Sequence, residues 1–124
     1  MSKKEIIEFG KRIIEIECKN LERVKENLGD SFAEAVETLK SLEGKVVITG
    51  MGKSGIIGRK IVGTFASIGI SSIFLHPGDA VHGDLGVVSK NDVVLLISNS
   101  GETDELIRIV PSIKKIGAKI ISIT

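Results

Sequence analysis

A single cysteine, Cys18, stands in this 124-residue chain, and there is no tryptophan or tyrosine. One thiol cannot build an internal disulfide framework or a cysteine-based zinc site. Four phenylalanines are the whole aromatic complement, too few for a platform that stacks nucleic-acid bases. Neither sign of charge dominates: 17 Lys and Arg face 16 Asp and Glu, a formal net charge of +1. That balance argues against nucleic acid or an anionic membrane as the main partner. No apolar run approaches the roughly 18 residues needed to cross a bilayer, and the N-terminus is charged, unlike a secretory signal. A reducing cytoplasm is the expected location. Proline is scarce too, with two residues against 14 glycines. Several glycines follow apolar runs, where a backbone must turn sharply or come close to a ligand.

Residues 2 to 42 carry a helical rhythm. Ile6, Ile13, Ile14, Leu21, Val24 and Leu28 recur at helical spacing among Glu, Lys and Arg. Ser2–Glu5 and Ser31–Glu34 each have the form of a capping box. Gly29-Asp30 lies between them as a stop and restart, so two helices are predicted, at about 3–27 and 31–42. The ordinary role of such a Glu/Lys-rich segment is a solvated packing pair. A first helix of this length is also expected to pack on another subunit.

From Lys45 the rhythm changes. Val46-Val47-Ile48 reads as a buried strand ending in Thr49-Gly50, followed by helical spacing from Ile56 to Ile68 and a cap at Gly69. Ser71 to His76 is a second strand, and Pro77 to about Gly86 a loop rich in Gly, Asp and His. Val93 to Ile97 is a third strand. A helix from about Thr103 to Ile116 follows, with a kink expected near Pro111, and Lys119 to Thr124 is a fourth strand. This alternation predicts a doubly wound parallel α/β sheet. Strands that are apolar throughout imply helices on both faces. The expected strand order is 2-1-3-4, and with no helix after the last strand the domain is expected to continue in a longer protein.

Two strand–turn–helix segments repeat one plan: Lys45 to Gly55, and Asp92 to Glu105 with Ser98-Asn99-Ser100-Gly101-Glu102-Thr103 as the turn. Each aims backbone N–H groups and a helix dipole at the mouth of the sheet. The hydroxyls of Ser54, Ser98, Ser100 and Thr103 add neutral donors. If the first and third strands are neighbours, both turns flank the switch point and can share one phosphate. Gly50-x-Gly52-x-x-Gly55 fits a dinucleotide fingerprint, but the second strand ends in Leu75-His76 where an acidic residue is expected. Gly52-Lys53-Ser54 mimics the end of a nucleotide-triphosphate loop whose first glycine would fall on Val47. Tight packing alone is the remaining use of these glycines. Lys53, at a helix N-terminus, would be relieved by a bound anion. Among Glu102, Asp104 and Glu105 at least one serves the helix dipole, and one aimed into the crevice can act as acid or base. His76 and His82, the only histidines, bracket the loop. Either can bind a substrate hydroxyl or open a sugar ring, and His82-Gly83-Asp84 offers an imidazole beside a carboxylate. Two histidines with Asp79 form a weak zinc pattern.

Gly50–Gly55, Phe74–Pro77, His82–Gly86 and Ser98–Thr103, in this order, resemble the sugar isomerase (SIS) phosphosugar-binding family from about Gly44 to Thr124. The His82–Gly86 segment is similar to its arabinose 5-phosphate isomerising branch. The resemblance implies a flavodoxin-like SIS domain at 44–124 behind an N-terminal helical segment at 1–43. It implies interconversion of D-arabinose 5-phosphate and D-ribulose 5-phosphate through an enediolate, with no cofactor required. By the same resemblance Lys53 and Glu105 are catalytic, while Gly52, Ser54, His76, His82, Ser98, Asn99, Ser100 and Thr103 bind substrate. His76 matches a position that can take up inhibitory zinc. Related domains continue with a further glutamate, a catalytic histidine and often paired CBS domains, and they assemble as homotetramers. The alternatives are a non-catalytic SIS module that senses a sugar phosphate, or an isomerase of another phosphosugar such as a hexulose phosphate.

Overall fold

The computed structural model describes all residues, 1–124, and divides into two compact units, Met1–Val36 and Glu37–Thr124. The first holds α1 (Lys3–Glu26) and the start of α2 (Asp30–Lys40). The capping box at Ser2 forms as the sequence predicts. Its Oγ accepts the Glu5 N–H at 3.3 Å, and Glu5 Oε2 accepts the Ser2 N–H at 2.6 Å. The box expected at Ser31–Glu34 does not form. α2 starts one residue earlier, with the Gly29 carbonyl accepting from Phe32 and Ala33, so Ser31 lies inside the first turn and not at the cap. No residue of α1 or α2 is buried, and Ile6, Phe9, Ile14 and Leu21 are exposed. No helix is long and apolar enough to cross a membrane.

The second unit is built on four parallel strands, β1 (Val46–Gly50), β2 (Ser72–Phe74), β3 (Val93–Ile97) and β4 (Lys119–Ile123), in the order β2-β1-β3-β4. α3 (Gly52–Ser67) follows β1, and α5 (Asp104–Ile116) follows β3. β1 and β3 are buried at every position, and their side chains alternate between two apolar clusters. Val46, Ile48, Leu95 and Ile97 pack with Ile61, Val62 and Phe65 of α3. Val47, Val94 and Leu96 pack with Leu106, Ile109 and Ile113 of α5. The expectation of covered strands holds for this central pair alone. β2 is only partly buried, and Lys119, Ser122 and Ile123 of β4 are exposed, because an edge strand has a neighbour on one side only.

Two further expectations are corrected. α3 begins at Gly52, four residues ahead of Ile56, so Lys53 and Ser54 belong to its first turn. The segment expected as a loop contains α4 (Pro77–Val81) and a 3₁₀ turn (Asp84–Val87). Pro77 sits at the first position of α4, where its fixed φ suits a helix and its missing N–H costs nothing. α5 runs through Pro111. The proline deprives the Ile107 carbonyl of its helical donor, and both residues are exposed, so water can replace it.

The amino edge of the sheet is pinned by Asp92, 2% exposed. One carboxylate oxygen accepts the Lys45 N–H at 2.9 Å; the other accepts the Lys45 ammonium at 2.7 Å and the Ser89 N–H at 2.7 Å. Burial pushes this carboxyl up, but the bonds from Lys45 and Ser89 outweigh it and hold it below the usual value. Its contribution is therefore complete above the unfolded-state pKa, about 4, and is lost as pH falls through the lowered folded value. Asp92→Ala is expected to cost about 2–3 kcal/mol at neutral pH, since it strands two amides and an ammonium. Urea denaturation of both proteins checks this: the gap should narrow below about pH 4, and a gap independent of pH would count against the pin.

Candidate functional site

The strand order makes β1 and β3 neighbours and turns the winding around between them. β1 leads through α3 to β2 on one side, and the chain then crosses back to β3 on the other. Such a reversal opens a crevice at the carboxyl edge. Gly50 is the register partner of Ile97, so the segments leaving the two strands emerge side by side. A Cβ at Gly50 would stand 3.0 Å from the Ile97 carbonyl oxygen, and one at Gly55 would stand 2.6 Å from the Gly50 oxygen. These two glycines let α3 start tight against the end of β1. The packing role weighed for them in the sequence is therefore met.

The first-turn amides of α3 (Gly52, Lys53, Ser54) and of α5 (Asp104, Glu105) donate to no protein acceptor. They lie at the positive ends of two helices whose starts follow adjacent strands. Lys53 is exposed, Glu105 is partly buried, and neither enters an ion pair. An ammonium beside a helix N-terminus has no compensating charge of its own.

The turn after β3 is organised by hydroxyls. Ser98, 6% exposed, keeps the sheet ladder going by donating its N–H to the Ile123 carbonyl at 3.0 Å. Its Oγ lies 2.9 Å from Thr103 Oγ1 and accepts the Gly101 N–H at 3.0 Å. Ser100 Oγ accepts the Glu102 N–H at 3.1 Å. Gly101 takes a φ of +71°, a left-handed conformation that closes this turn with no side-chain clash. Ser98 and Thr103 are thus brought together, Ser100 is folded back on its own turn, and Asn99 is exposed without a partner.

His76 caps α4. Its Nδ1 accepts the Gly78 N–H at 3.2 Å, so the ring proton of the neutral imidazole resides on Nε2, a donor one strand away from Gly50. No group of three His, Cys, Asp or Glu that could hold a metal comes together. The zinc pattern read from His76, His82 and Asp79 therefore does not assemble. His82 ends α4 as an exposed C-cap and makes no hydrogen bond to Asp84. The cap at His76 was missed in the sequence, although Pro at the first position and Asp79 at the third carry its signature. A second miss is Thr49, read only as the end of an apolar run. Its fully buried hydroxyl has no partner.

This combination defines an open, doubly wound α/β domain with a hydroxyl-rich turn and two unpartnered helix starts at its switch point. The SIS domain pattern matches residues 41–124, and the chain belongs to the SIS domain family. It is 49% identical over 115 residues to the arabinose 5-phosphate isomerase KdsD of Salmonella typhimurium, covering 93% of this chain and 35% of the relative. Against the Pseudomonas aeruginosa arabinose 5-phosphate isomerase KdsD the identity is 44% over 120 residues, 97% of this chain and 37% of the relative. The chain thus spans about a third of the length of the curated relatives it matches. An Escherichia coli CFT073 protein solved in complex with arabinose 5-phosphate superposes with a TM-score of 0.90 at 49% identity, covering 98% of this chain and 65% of that one. A phosphoheptose isomerase from Neisseria gonorrhoeae shares the fold, with a TM-score of 0.78 at 14% identity over 94% of this chain and 74% of that one.

Gly55→Ala is expected to lower stability by about 1–3 kcal/mol, since its Cβ would meet backbone that cannot step aside. Gly63→Ala, in the same helix with nothing within 4 Å, should instead be neutral or stabilising by up to about 1 kcal/mol. Paired thermal melts measure the contrast.

Proposed function

We propose that the protein carrying this chain is an aldose–ketose isomerase that interconverts D-arabinose 5-phosphate and D-ribulose 5-phosphate through an enediolate. The observation that carries this reading is the convergence at one sheet edge. A lysine and a glutamate in the first turns of two helices, and a hydroxyl-lined turn, all follow strands that pair residue for residue at Gly50 and Ile97. Relatives named arabinose 5-phosphate isomerase, at 44–49% identity, support the substrate.

In this reading Glu105 moves the proton between C1 and C2, and the Lys53 ammonium stabilises the oxyanion that develops on the neighbouring oxygen. The phosphate rests on the Ser98–Thr103 turn, with Gly52, Ser54, Asn99 and the free first-turn amides around it. His76 donates to a sugar hydroxyl, and His82, exposed at the end of α4, supplies a second substrate contact. No redox cofactor enters the reaction, because the electron pair shifts within the substrate. The protein works in the cytoplasm as a homo-oligomer, a tetramer, in which another copy covers the exposed apolar residues of α1.

Conversion of arabinose 5-phosphate, followed by its ketose product, tests the chemistry. Lys53→Ala and Glu105→Gln are each expected to reduce kcat by about 10²-fold or more, and undiminished turnover would refute the roles assigned. A wild-type protein that binds the sugar phosphate without turnover would instead be a sensor. Faster turnover of a hexulose phosphate than of the pentose phosphates would change the substrate and leave the chemistry in place. Ser100→Ala should weaken binding by about 1.5–3 kcal/mol, the value of a hydrogen bond to a charged group. Calorimetry checks this, and equal affinity for arabinose and its 5-phosphate would overturn the phosphate turn.

A further inference from the structure

Thr49 presents the one buried side-chain polar atom in the chain that has no hydrogen-bond partner. The residue is 0% exposed, and it stands one step before Gly50, at the end of β1. Leaving a hydroxyl unsatisfied in an apolar neighbourhood is costly, and valine has nearly the same shape without that penalty. A threonine at this place therefore calls for a function.

Its position supplies one. Thr49 pairs in register with Leu96 and shares the face of the sheet that carries Val47, Val94 and Leu96. Alternation along β3 puts Ser98, two residues past Leu96, on that same face. Diagonal neighbours on one face lie too far apart for their backbones to meet, but two hydroxyls that lean toward each other come within the roughly 5–5.5 Å that one bridging water spans.

Hydroxyl arithmetic gives the bridge a purpose. A serine hydroxyl has one donor and two acceptor sites. At Ser98 one acceptor site takes the Gly101 N–H, and the pair with Thr103 can run in either direction. An anion at the mouth requires donors, so it turns the Thr103 O–H outward. Ser98 must then donate to Thr103, which leaves Ser98 with one acceptor site open. A water held by Thr49 fills that site and locks the pair in the donating sense.

We propose that Thr49 is a positioning residue of the phosphate turn, acting through one buried water on the Ser98–Thr103 hydroxyl pair. This rests on the reading of that turn as the phosphate site, and the experiment separates the two. Binding of inorganic phosphate to the full chain is measured by calorimetry, and KM and kcat for the phosphosugar are measured alongside. Thr49→Val is expected to weaken phosphate binding and raise KM by roughly 3- to 10-fold, with kcat within about twofold and a melting temperature no lower than wild type. Thr49→Ala also lacks the hydroxyl and should show the same weakening even if it melts earlier. Thr49→Ser should restore phosphate binding and KM. If wild type and both hydroxyl-free variants bind phosphate equally, Thr49 has no such role and the turn survives. If wild type binds no phosphate, the turn reading and this inference fall together.

Discussion

The pairing of β1 with β3 across an intervening helix and strand is the constraint on which the carboxyl edge depends. Five register pairs, ending at Gly50 and Ile97, hold the two strands together. Each strand then passes into a helix whose first-turn amides lack intrahelical acceptors. Two such helix starts side by side concentrate partial positive charge where the winding direction reverses, so the crevice is a consequence of strand order. The glycines at 50 and 55 are required by closeness, since a Cβ at either would run into backbone.

The rest of the second unit keeps that pair in place. Its central strands are buried on both faces by two separate apolar clusters, one facing α3 and the other α5. At the opposite edge Asp92 gathers Lys45 and Ser89 into one hydrogen-bonded group. This charged knot fixes where β1 and β3 begin, and the ladder carries that register to the mouth. The first unit is of a different kind: an amphipathic helix with satisfied ends and no buried residue, whose apolar surface finds no cover within its own unit.

Much of this was legible in the residues. Continuous apolar runs at 46–48 and 93–97 announced buried parallel strands, and Ser98–Thr103 announced a polar turn feeding a helix. The errors have local causes. Pro77 and His76 together start a helix that the Gly- and Asp-rich composition disguised as a loop. Asp30 starts α2 ahead of Ser31, so a pattern that fits a capping box by spacing alone fails by one residue. His76, His82 and Asp79 form no metal-holding group, because His76 caps the start of α4 and His82 stands at its far end.

The sequence by itself determined the four strands and the long helices, because periodicity is a property of neighbouring residues. It also marked the polar turns, whose composition is equally local. Only the tertiary structure decided which side chains meet: that Ser98 pairs with Thr103, that Asp92 is encircled, and that the Thr49 hydroxyl is buried with no protein group to bond. Such facts depend on packing between segments distant along the chain. A residue's neighbours in space, and hence the donors and acceptors it meets, are set by how strands stack and not by its place in the order.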